Sequence, residues 1–278
     1  MRILITGADG KLGRCLVASL SEKHEVLGLS RCDLDITDHD AVRGQTEKFD
    51  ADAILNAAAF TAVDRCEEES DKAYEVNASA VGNLVRAADS IGARLVYFST
   101  DFVFDGSRSG PPYTEEDATN PLSVYGKSKL AGETAALAAK DSIVLRLSWV
   151  YGKGGWNFTD WVVEEGQKGN EIKVVTDQMG SPTWVGDVAS EVEAILDQPA
   201  TGIYHCSGQG SCSRFDWARE AARLMGIDAG NIIPITSDQF PQKAPRPAYS
   251  VLDNARLRVE GLDVMRPWED ALREYLQG

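Results

Sequence analysis

A short apolar segment at the start of the chain runs directly into a glycine-rich turn. Residues 2–6 read RILIT, a continuous apolar run typical of a strand buried on both faces of a sheet. The next residues, TGADGKLG, space three glycines as GxxGxxG and open an amphipathic segment over residues 12–20. Glycines permit a tight turn there, and the N–H groups of the helix N-terminus can hold phosphate. Strand, turn and helix together predict a dinucleotide-binding site contacted by Gly7, Gly10, Lys11, Leu12 and Gly13.

Apolar and amphipathic segments alternate through the first half of the chain. Further strands are predicted at 25–29, 53–56, 94–99 and 143–147, and further helices at 41–48, 71–92 and 123–140. This alternation predicts an α/β fold, a Rossmann-type doubly wound parallel sheet with helices on both faces. The texture changes near residue 150, so we expect a dinucleotide-binding domain over 1–150 and a smaller α+β substrate-binding lobe, mainly over 151–278. Parts of about 176–207 are expected to return to the cofactor domain.

Charge and cysteine content exclude several classes of protein. The formal net charge of -15 disfavours binding to a nucleic-acid backbone or to an anionic membrane surface. The five cysteines form no CxxC pair and their number is odd, so neither a disulfide framework nor a zinc site is expected. No apolar segment approaches the roughly 20 residues of a membrane span. We therefore expect a cytoplasmic protein that binds no metal, membrane or nucleic acid.

The end of the second predicted strand bears on the choice of nicotinamide cofactor. An acidic residue at this point hydrogen-bonds the ribose 2′-hydroxyl of NAD, whereas an arginine pairs with the 2′-phosphate of NADP. The strand ends in Ser30 and Arg31, which favours NADPH, although a solvated surface arginine is nearly as good an interpretation. Asp33 and Asp35 follow closely, so NADH stays open as an alternative.

Tyr125 and Lys129 form a YxxxK pair near the start of a predicted helix. The i, i+4 spacing places both side chains on one helical face, about 5–6 Å apart at Cβ. A free phenol has a pKa of about 10 and is a sluggish acid near neutrality. A neighbouring ammonium stabilises the phenolate, so we expect Lys129 to lower the pKa of Tyr125 and to hydrogen-bond the nicotinamide ribose as well. Downstream of a dinucleotide-binding turn, the pair predicts proton transfer rather than two surface side chains.

Three polar residues and one aromatic group complete the set of candidates. Ser99 and Thr100 end the fourth predicted strand, where α/β sheets hold their ligands, and a hydroxyl there can donate to a substrate carbonyl oxygen. The alternative is an ordinary turn. Asn77 lies within a predicted helix, as part of a proton relay or as a surface residue. The aromatic residues Trp156, Phe158 and Trp161 are spaced like one buried helix face, which favours core packing.

Together these residues resemble the extended short-chain dehydrogenase/reductase superfamily and, within it, the dTDP-4-dehydrorhamnose reductase family. The resemblance runs along nearly the whole chain, and the order and number of the matching segments make it specific. The segments are ITGADGKLG, CDLDITD, ILNAAAFTAVDRCE, VNASAVGNLVRAA, YFSTDFVFDG, NPLSVYGKSKLAGE, LRLSWVYG, VVTDQMGSPTWVGDVA, GIYHCSG, RPAYSVLDNARL and RPWEDALREYL.

The resemblance implies that NAD(P)H delivers hydride to the C4 ketone of dTDP-4-dehydro-6-deoxy-L-mannose, which gives dTDP-L-rhamnose. It implies that Tyr125 protonates the developing alkoxide, that Lys129 tunes Tyr125, and that Thr100 hydrogen-bonds the carbonyl oxygen. Arg246 also has a physical rationale, because an arginine can clamp a diphosphate. Further cofactor contacts are Gly7, Gly10, Gly13, Asp35, Ala57, Ala58, Ala59, Asn77 and Ser99, and the sugar-nucleotide contacts are Thr61, Val63, Asp101, Phe102, Trp149 and Arg246.

The chain departs from the family pattern at two points, and two other functions stay open. The family often has tyrosine at the position of Phe102. Some members bind magnesium through glutamates at a dimer interface, and these glutamates have no match here, which leaves a homodimer open. Asp101 after Thr100 keeps open an NAD-dependent sugar-nucleotide epimerase or dehydratase. The second alternative is a non-catalytic regulatory subunit, like the relative that modulates methionine adenosyltransferase.

Overall fold

The computed structural model describes residues 1–240 and 242–278. Six parallel strands form its central sheet, and three small two-stranded sheets lie beside it. The strands are β1 (Arg2–Thr6), β2 (Glu25–Leu29), β3 (Ala53–Asn56), β4 (Arg94–Thr100), β5 (Ser142–Leu147), β6 (Val150–Tyr151), β7 (Ile172–Val175), β8 (Met179–Gly180), β9 (Thr183–Trp184), β10 (Gly202–His205), β11 (Cys212–Ser213) and β12 (Ile232–Ile235).

Helices cover both faces of the central sheet and build the second lobe. They are α1 (Lys11–Leu20), α2 (His39–Phe49), α3 (Val63–Glu68), α4 (Ser70–Tyr74), α5 (Ala80–Ile91), α6 (Val124–Ala136), α7 (Phe158–Gln167), α8 (Val185–Leu196), α9 (Arg214–Leu224), α10 (Ala255–Val259) and α11 (Trp268–Gln277). A π-helical turn, Glu75–Ser79, joins α4 to α5, and 3-10 turns cover Asp101–Val103, Ala229–Asn231 and Ser237–Gln239. No helix within the described ranges is long and apolar enough to cross a bilayer.

The order of the central strands confirms the predicted doubly wound fold. The order is β10-β5-β4-β3-β1-β2, and every pairing is parallel. The strand order reverses between β1 and β3, and ligands of such sheets bind in the crevice outside the strand ends at this point. The apolar runs that predicted β1, β3 and β5 are almost wholly buried, as a sheet covered on both faces requires.

The second half of the chain divides its residues between the sheet and a separate aromatic core. Strand β10 pairs with β5 at the edge of the central sheet, and α8 packs on α1. The other core lies among α7, α9 and α11 and contains Trp149, Tyr151, Trp217, Trp268 and Tyr275. The division into a cofactor domain and a substrate lobe stays a prediction, with β10 as a segment that returns to the sheet.

Candidate active site

Three adjoining cavities lie beyond the carboxyl ends of the central strands. The first, of about 250 Å³, borders the glycine turn and the end of β2, and we call it the turn cavity. The second, of about 360 Å³, contains the catalytic candidates and is called the catalytic cavity. The third, of about 450 Å³, is lined largely by aromatic side chains and is called the outer cavity. The turn and catalytic cavities share Gly10, Ala57 and Ala59, and the catalytic and outer cavities share Lys11, Trp149, Val150 and Arg214.

The glycine turn packs directly against the chain that leaves β3. Gly7 has φ +65°, and a Cβ at this position would lie 2.7 Å from the backbone of Ala58. Helix α1 begins with no side-chain cap and no acidic residue in its first turn, so its first N–H groups are free to meet an anion. The predicted cofactor residues Gly7, Gly10, Lys11, Leu12, Gly13, Ala57, Ala58 and Ala59 line the turn cavity or the catalytic cavity.

The acidic residues after β2 accept hydrogen bonds from neighbouring residues of the same turn. Asp33 accepts hydrogen bonds from the backbone and hydroxyl of Ser30, and Asp35 accepts two from Thr37. These bonds lower the pKa of both carboxyls. Arg31 lies exposed at the turn cavity beside Asp35. A 2′-phosphate entering this cavity therefore meets a guanidinium, while the nearby carboxylates already have partners.

Tyr125 and Lys129 line one wall of the catalytic cavity, on the first turns of α6. The Ser123 hydroxyl caps this helix by accepting from the Gly126 N–H. A Cβ at Gly126 would lie 2.2 Å from the carbonyl oxygen of Phe102, so glycine allows α6 to approach the 3-10 turn closely. Lys129 is buried, and its Nζ donates to the carbonyl oxygen of Phe98 at 2.7 Å.

The protonation states of this pair differ from the prediction. Burial lowers the pKa of Lys129 to about 7, so its ammonium group is only partly populated at neutral pH. Burial raises the pKa of Tyr125 above that of a free phenol, and the neighbouring Thr100 hydroxyl opposes the rise. The expected lowering of the pKa of Tyr125 is therefore not found in this structure, because desolvation raises that pKa and Lys129 is not among the groups that act on it. The phenol is held protonated.

Thr100 and Asp101 make a buried network beside Tyr125. Asp101 is 2% exposed and accepts hydrogen bonds from the hydroxyls of Thr100 at 3.1 Å, Ser148 at 3.0 Å and Ser250 at 2.5 Å. Burial raises the pKa of Asp101 despite these bonds. The Thr100 hydroxyl lines the catalytic cavity, where it bonds Asp101 and lies within hydrogen-bond reach of Tyr125.

Ser99 and Asn77 both hydrogen-bond within the protein, and Ser99 also lines the catalytic cavity. Ser99 donates to Glu133 at 2.5 Å, and Glu133 forms a buried ion pair with Arg146. Asn77 is 1% exposed, which excludes the surface alternative. Its amide bonds Phe60 through both backbone groups and donates to Ser128 on α6. The helix predicted over 71–92 is interrupted at this residue by a π-helical turn. Such turns often mark functional sites.

The predicted substrate contacts divide between two cavities. Thr61, Asp101 and Phe102 line the catalytic cavity, Val63 and Arg246 line the outer cavity, and Trp149 lines both. The Phe102 ring meets the Tyr125 ring edge-on, with centroids 5.8 Å apart. Arg246 is paired with Asp64, through two bonds of 3.1 Å. Its charge is therefore already balanced, although it still borders the cavity.

The prediction of core packing is wrong for Trp156, whereas Phe158 and Trp161 pack against the aromatic core. Trp156 lies before α7 and is 72% exposed. Phe158 and Trp161 are half-buried and, together with Trp156, line the outer cavity. The spacing of these aromatic residues predicts a buried face, but periodicity does not distinguish a core from the wall of a cavity.

Arg214 is a site residue that the sequence analysis missed. It is half-buried at the start of α9, and its guanidinium carbon lies 3.7 Å from the centroid of the Trp149 ring. A serine and an aspartate three residues apart form a capping box here, and that pattern could have marked the helix start. Nothing in the pattern links Arg214 to motifs about a hundred residues away. Across the described parts of the chain, no group of three or more His, Cys, Asp or Glu residues could hold a metal ion.

The comparisons with known proteins agree along the full length of the chain. The family model for the RmlD substrate binding domain matches residues 1–278. The spore coat polysaccharide biosynthesis protein SpsK of Bacillus subtilis is 41% identical over 280 residues, which cover 99% of this chain and 97% of that protein.

Two crystal structures are similar in fold and sequence. A dTDP-4-dehydrorhamnose reductase of Clostridium acetobutylicum has a TM-score of 0.96 and 44% identity, covering 99% of this chain and 98% of that one. A dTDP-4-dehydrorhamnose reductase of Bacillus anthracis in complex with NADP has a TM-score of 0.95 and 36% identity, with the same coverage. The chain therefore belongs to the dTDP-4-dehydrorhamnose reductase family.

Proposed function

We propose that this protein reduces the C4 ketone of dTDP-4-dehydro-6-deoxy-L-mannose to give dTDP-L-rhamnose, with Tyr125 as the proton donor. The observation that carries the proposal is the position of Tyr125 and Lys129, on the wall of a cavity that joins the glycine turn on one side and an aromatic cavity on the other. As a member of this family the chain is an NAD(P)H-dependent reductase, and NADP is bound in the Bacillus anthracis relative.

The residues around the glycine turn fit a dinucleotide. The turn packs so closely on the chain after β3 that only a glycine fits at position 7, α1 presents uncapped N–H groups, and Arg31 lies where a 2′-phosphate would enter. NADPH supplies the hydride that is added to the carbonyl carbon. A cofactor with its pyrophosphate on this turn reaches from the turn cavity into the catalytic cavity, because the two share Gly10, Ala57 and Ala59.

Reduction of a ketone also requires a proton at the oxygen, and Tyr125 is held in the form that can give one. A phenol whose pKa is raised by burial stays protonated at neutral pH. As negative charge develops on the substrate oxygen, the phenol is a hydrogen-bond donor at that position. Lys129 lines the same wall of the cavity, and its bond to the carbonyl oxygen of Phe98 fixes its position.

The aromatic outer cavity supports a nucleotide sugar as the substrate class. Phe158 and Trp161 offer flat apolar surfaces for a base, and Lys173 and Gln178 supply polar groups beside them. The two crystal structures compared above are of proteins named dTDP-4-dehydrorhamnose reductase. With its thymidine in the outer cavity and its ketosugar beside Tyr125, one substrate molecule would span both cavities. A homodimer stays a prediction.

The test is NADPH oxidation, followed at its absorbance maximum, with the dTDP-4-dehydro sugar generated in situ. We expect steady oxidation that requires the sugar nucleotide, and a fall in kcat of about 10²–10⁴-fold in Tyr125→Phe, the usual contribution of a general acid. NADPH binding should be unchanged in that variant, because only one hydroxyl is removed. Near wild-type turnover by Tyr125→Phe would remove the tyrosine from the mechanism. Tightly retained NAD without net oxidation would favour the epimerase or dehydratase alternative.

A further inference from the structure

Arg214 holds an unusual position at the junction of the catalytic and outer cavities. It is the first residue of α9, whose start is fixed by a capping box between Ser213 and Asp216. Its guanidinium stacks on the Trp149 ring at 3.7 Å and lies 5.4 Å from the Trp217 ring centroid. The aromatic surfaces hold the side chain in place without neutralising its charge.

Among the described residues, none forms a hydrogen bond or an ion pair with the Arg214 guanidinium. The backbone N–H of Arg214 donates to the carbonyl oxygen of Gln178. Burial lowers the pKa of Arg214 to about 10, so it still carries a charge at neutral pH. The carboxylate whose charge acts on it, Asp101, is already bonded to three hydroxyls. A partly desolvated cation without an anion is unfavourable, and an anionic ligand at this position would relieve that cost.

Arg246, the arginine singled out by the sequence, is in the opposite condition. Its guanidinium donates twice to Asp64 and once to the carbonyl oxygen of Ala244. A ligand that used Arg246 would compete with an existing ion pair, whereas a ligand at Arg214 would displace none. The two arginines line the same cavity, yet only Arg214 also borders the catalytic cavity.

The shape of a nucleotide sugar determines which of its groups lies at this junction. With the nucleoside in the outer cavity and the ketone beside Tyr125, the linking diphosphate must pass the shared residues, which include Lys11 and Arg214. We propose that Arg214 binds the diphosphate of the substrate. The placement rests on the proposed function, but the test needs no turnover.

The test measures binding of dTDP and of thymidine by calorimetry to the NADPH-bound enzyme. In Arg214→Gln we expect dTDP to bind about 10- to 100-fold more weakly, as for the loss of hydrogen bonds to a charged group, with thymidine binding unchanged. Arg214→Lys should fall between, because an ammonium cannot bind a phosphate bidentately. The matched control is Arg219→Gln, an exposed arginine on the same helix, which should bind dTDP like the wild type.

The outcomes test the role of Arg214 separately from the proposed reaction. Equal dTDP affinity in wild type, Arg214→Gln and Arg219→Gln would overturn it, as would a wild type that does not bind dTDP at all. Unchanged NADPH binding shows that the variant is folded; if Arg214→Gln loses it, Arg214→Lys decides in its place. A wild type that binds dTDP through Arg214 but does not oxidise NADPH with the dTDP-4-dehydro sugar would sink the proposed reaction and leave the arginine's role standing.

Discussion

The turn cavity and the outer cavity are built in different ways, although both border the catalytic cavity. One side of the turn cavity is formed by backbone and small side chains of the segments that follow β1 and β3, namely Gly7, Gly10 and Ala57–Ala59. The outer cavity is formed by large side chains from α7, β7, α9 and the segment near residue 246. A site made of backbone is specified by local sequence, because glycine and alanine spacing decides how closely the chain can approach a ligand. A site made of large side chains depends on how distant segments pack together.

This contrast predicts that one added methyl group does more harm at the turn than elsewhere. Gly7→Ala places a Cβ 2.7 Å from the backbone of Ala58, in a left-handed conformation that disfavours alanine by roughly 1–2 kcal/mol. We expect NADPH affinity to fall about a hundredfold, as strain and displacement add together. The control is Gly44→Ala, on the exposed side of α2 with no atom within 4 Å, which should raise the free energy of unfolding by about 0.5–1 kcal/mol. Equal NADPH affinity in both variants would remove the distinction.

Substitutions in the outer cavity should change the affinity for the sugar nucleotide and leave the affinity for NADPH unchanged. Trp161→Ala removes a half-buried wall of the cavity, and we expect KM for the sugar nucleotide to rise about tenfold, as for loss of a base–aromatic contact. NADPH binding should not change. Trp156→Ala should have a smaller effect, because Trp156 is 72% exposed. A larger effect at Trp156 than at Trp161 would mean that the exposed ring closes over the nucleotide.

The smallest predicted effect concerns Lys129 and pH. Its pKa is about 7 in the folded protein and 10.5 for the free side chain, so between these values the unfolded chain binds more protons. This residue therefore makes the free energy of unfolding rise with pH through that window and leaves it flat below. In Lys129→Met, without cofactor, the rise between about pH 7 and 8 should shrink by about 1 kcal/mol. Denaturant titrations at both pH values measure it, and an unchanged slope would contradict the burial of the amine as the cause.

The residues predicted to bind the cofactor line two adjoining cavities, and their signals in the sequence are local. The strand ends, the glycine spacing and the YxxxK pair each lie within a few residues, and the sheet brings them together as expected. The outer cavity was predicted only in part. Arg214 has no local signal of function, and Trp161 has the same periodicity whether it faces a core or a cavity.

The protonation of the catalytic pair could not be predicted from spacing. A separation of four residues gives proximity, but the pKa of Tyr125 and of Lys129 depends on burial by segments remote in sequence. The same holds for Thr100, whose hydroxyl bonds Asp101 in a network that includes Ser250, 149 residues from Asp101. The resemblance named Thr100 and Asp101, and the structure supplies their hydrogen-bond partners.

The central claim is that hydride from NADPH adds to the carbonyl carbon of a ketone and that Tyr125 protonates the carbonyl oxygen. The most direct measurement uses NADPH deuterated at the transferred position with the dTDP-4-dehydro sugar, and locates deuterium in the product by NMR. The account predicts one deuterium at C4 of the dTDP-6-deoxy sugar, formed together with one equivalent of NADP, and almost none from Tyr125→Phe at the same level of NADPH binding. Deuterium-free product, or equal labelling by Tyr125→Phe, would contradict it.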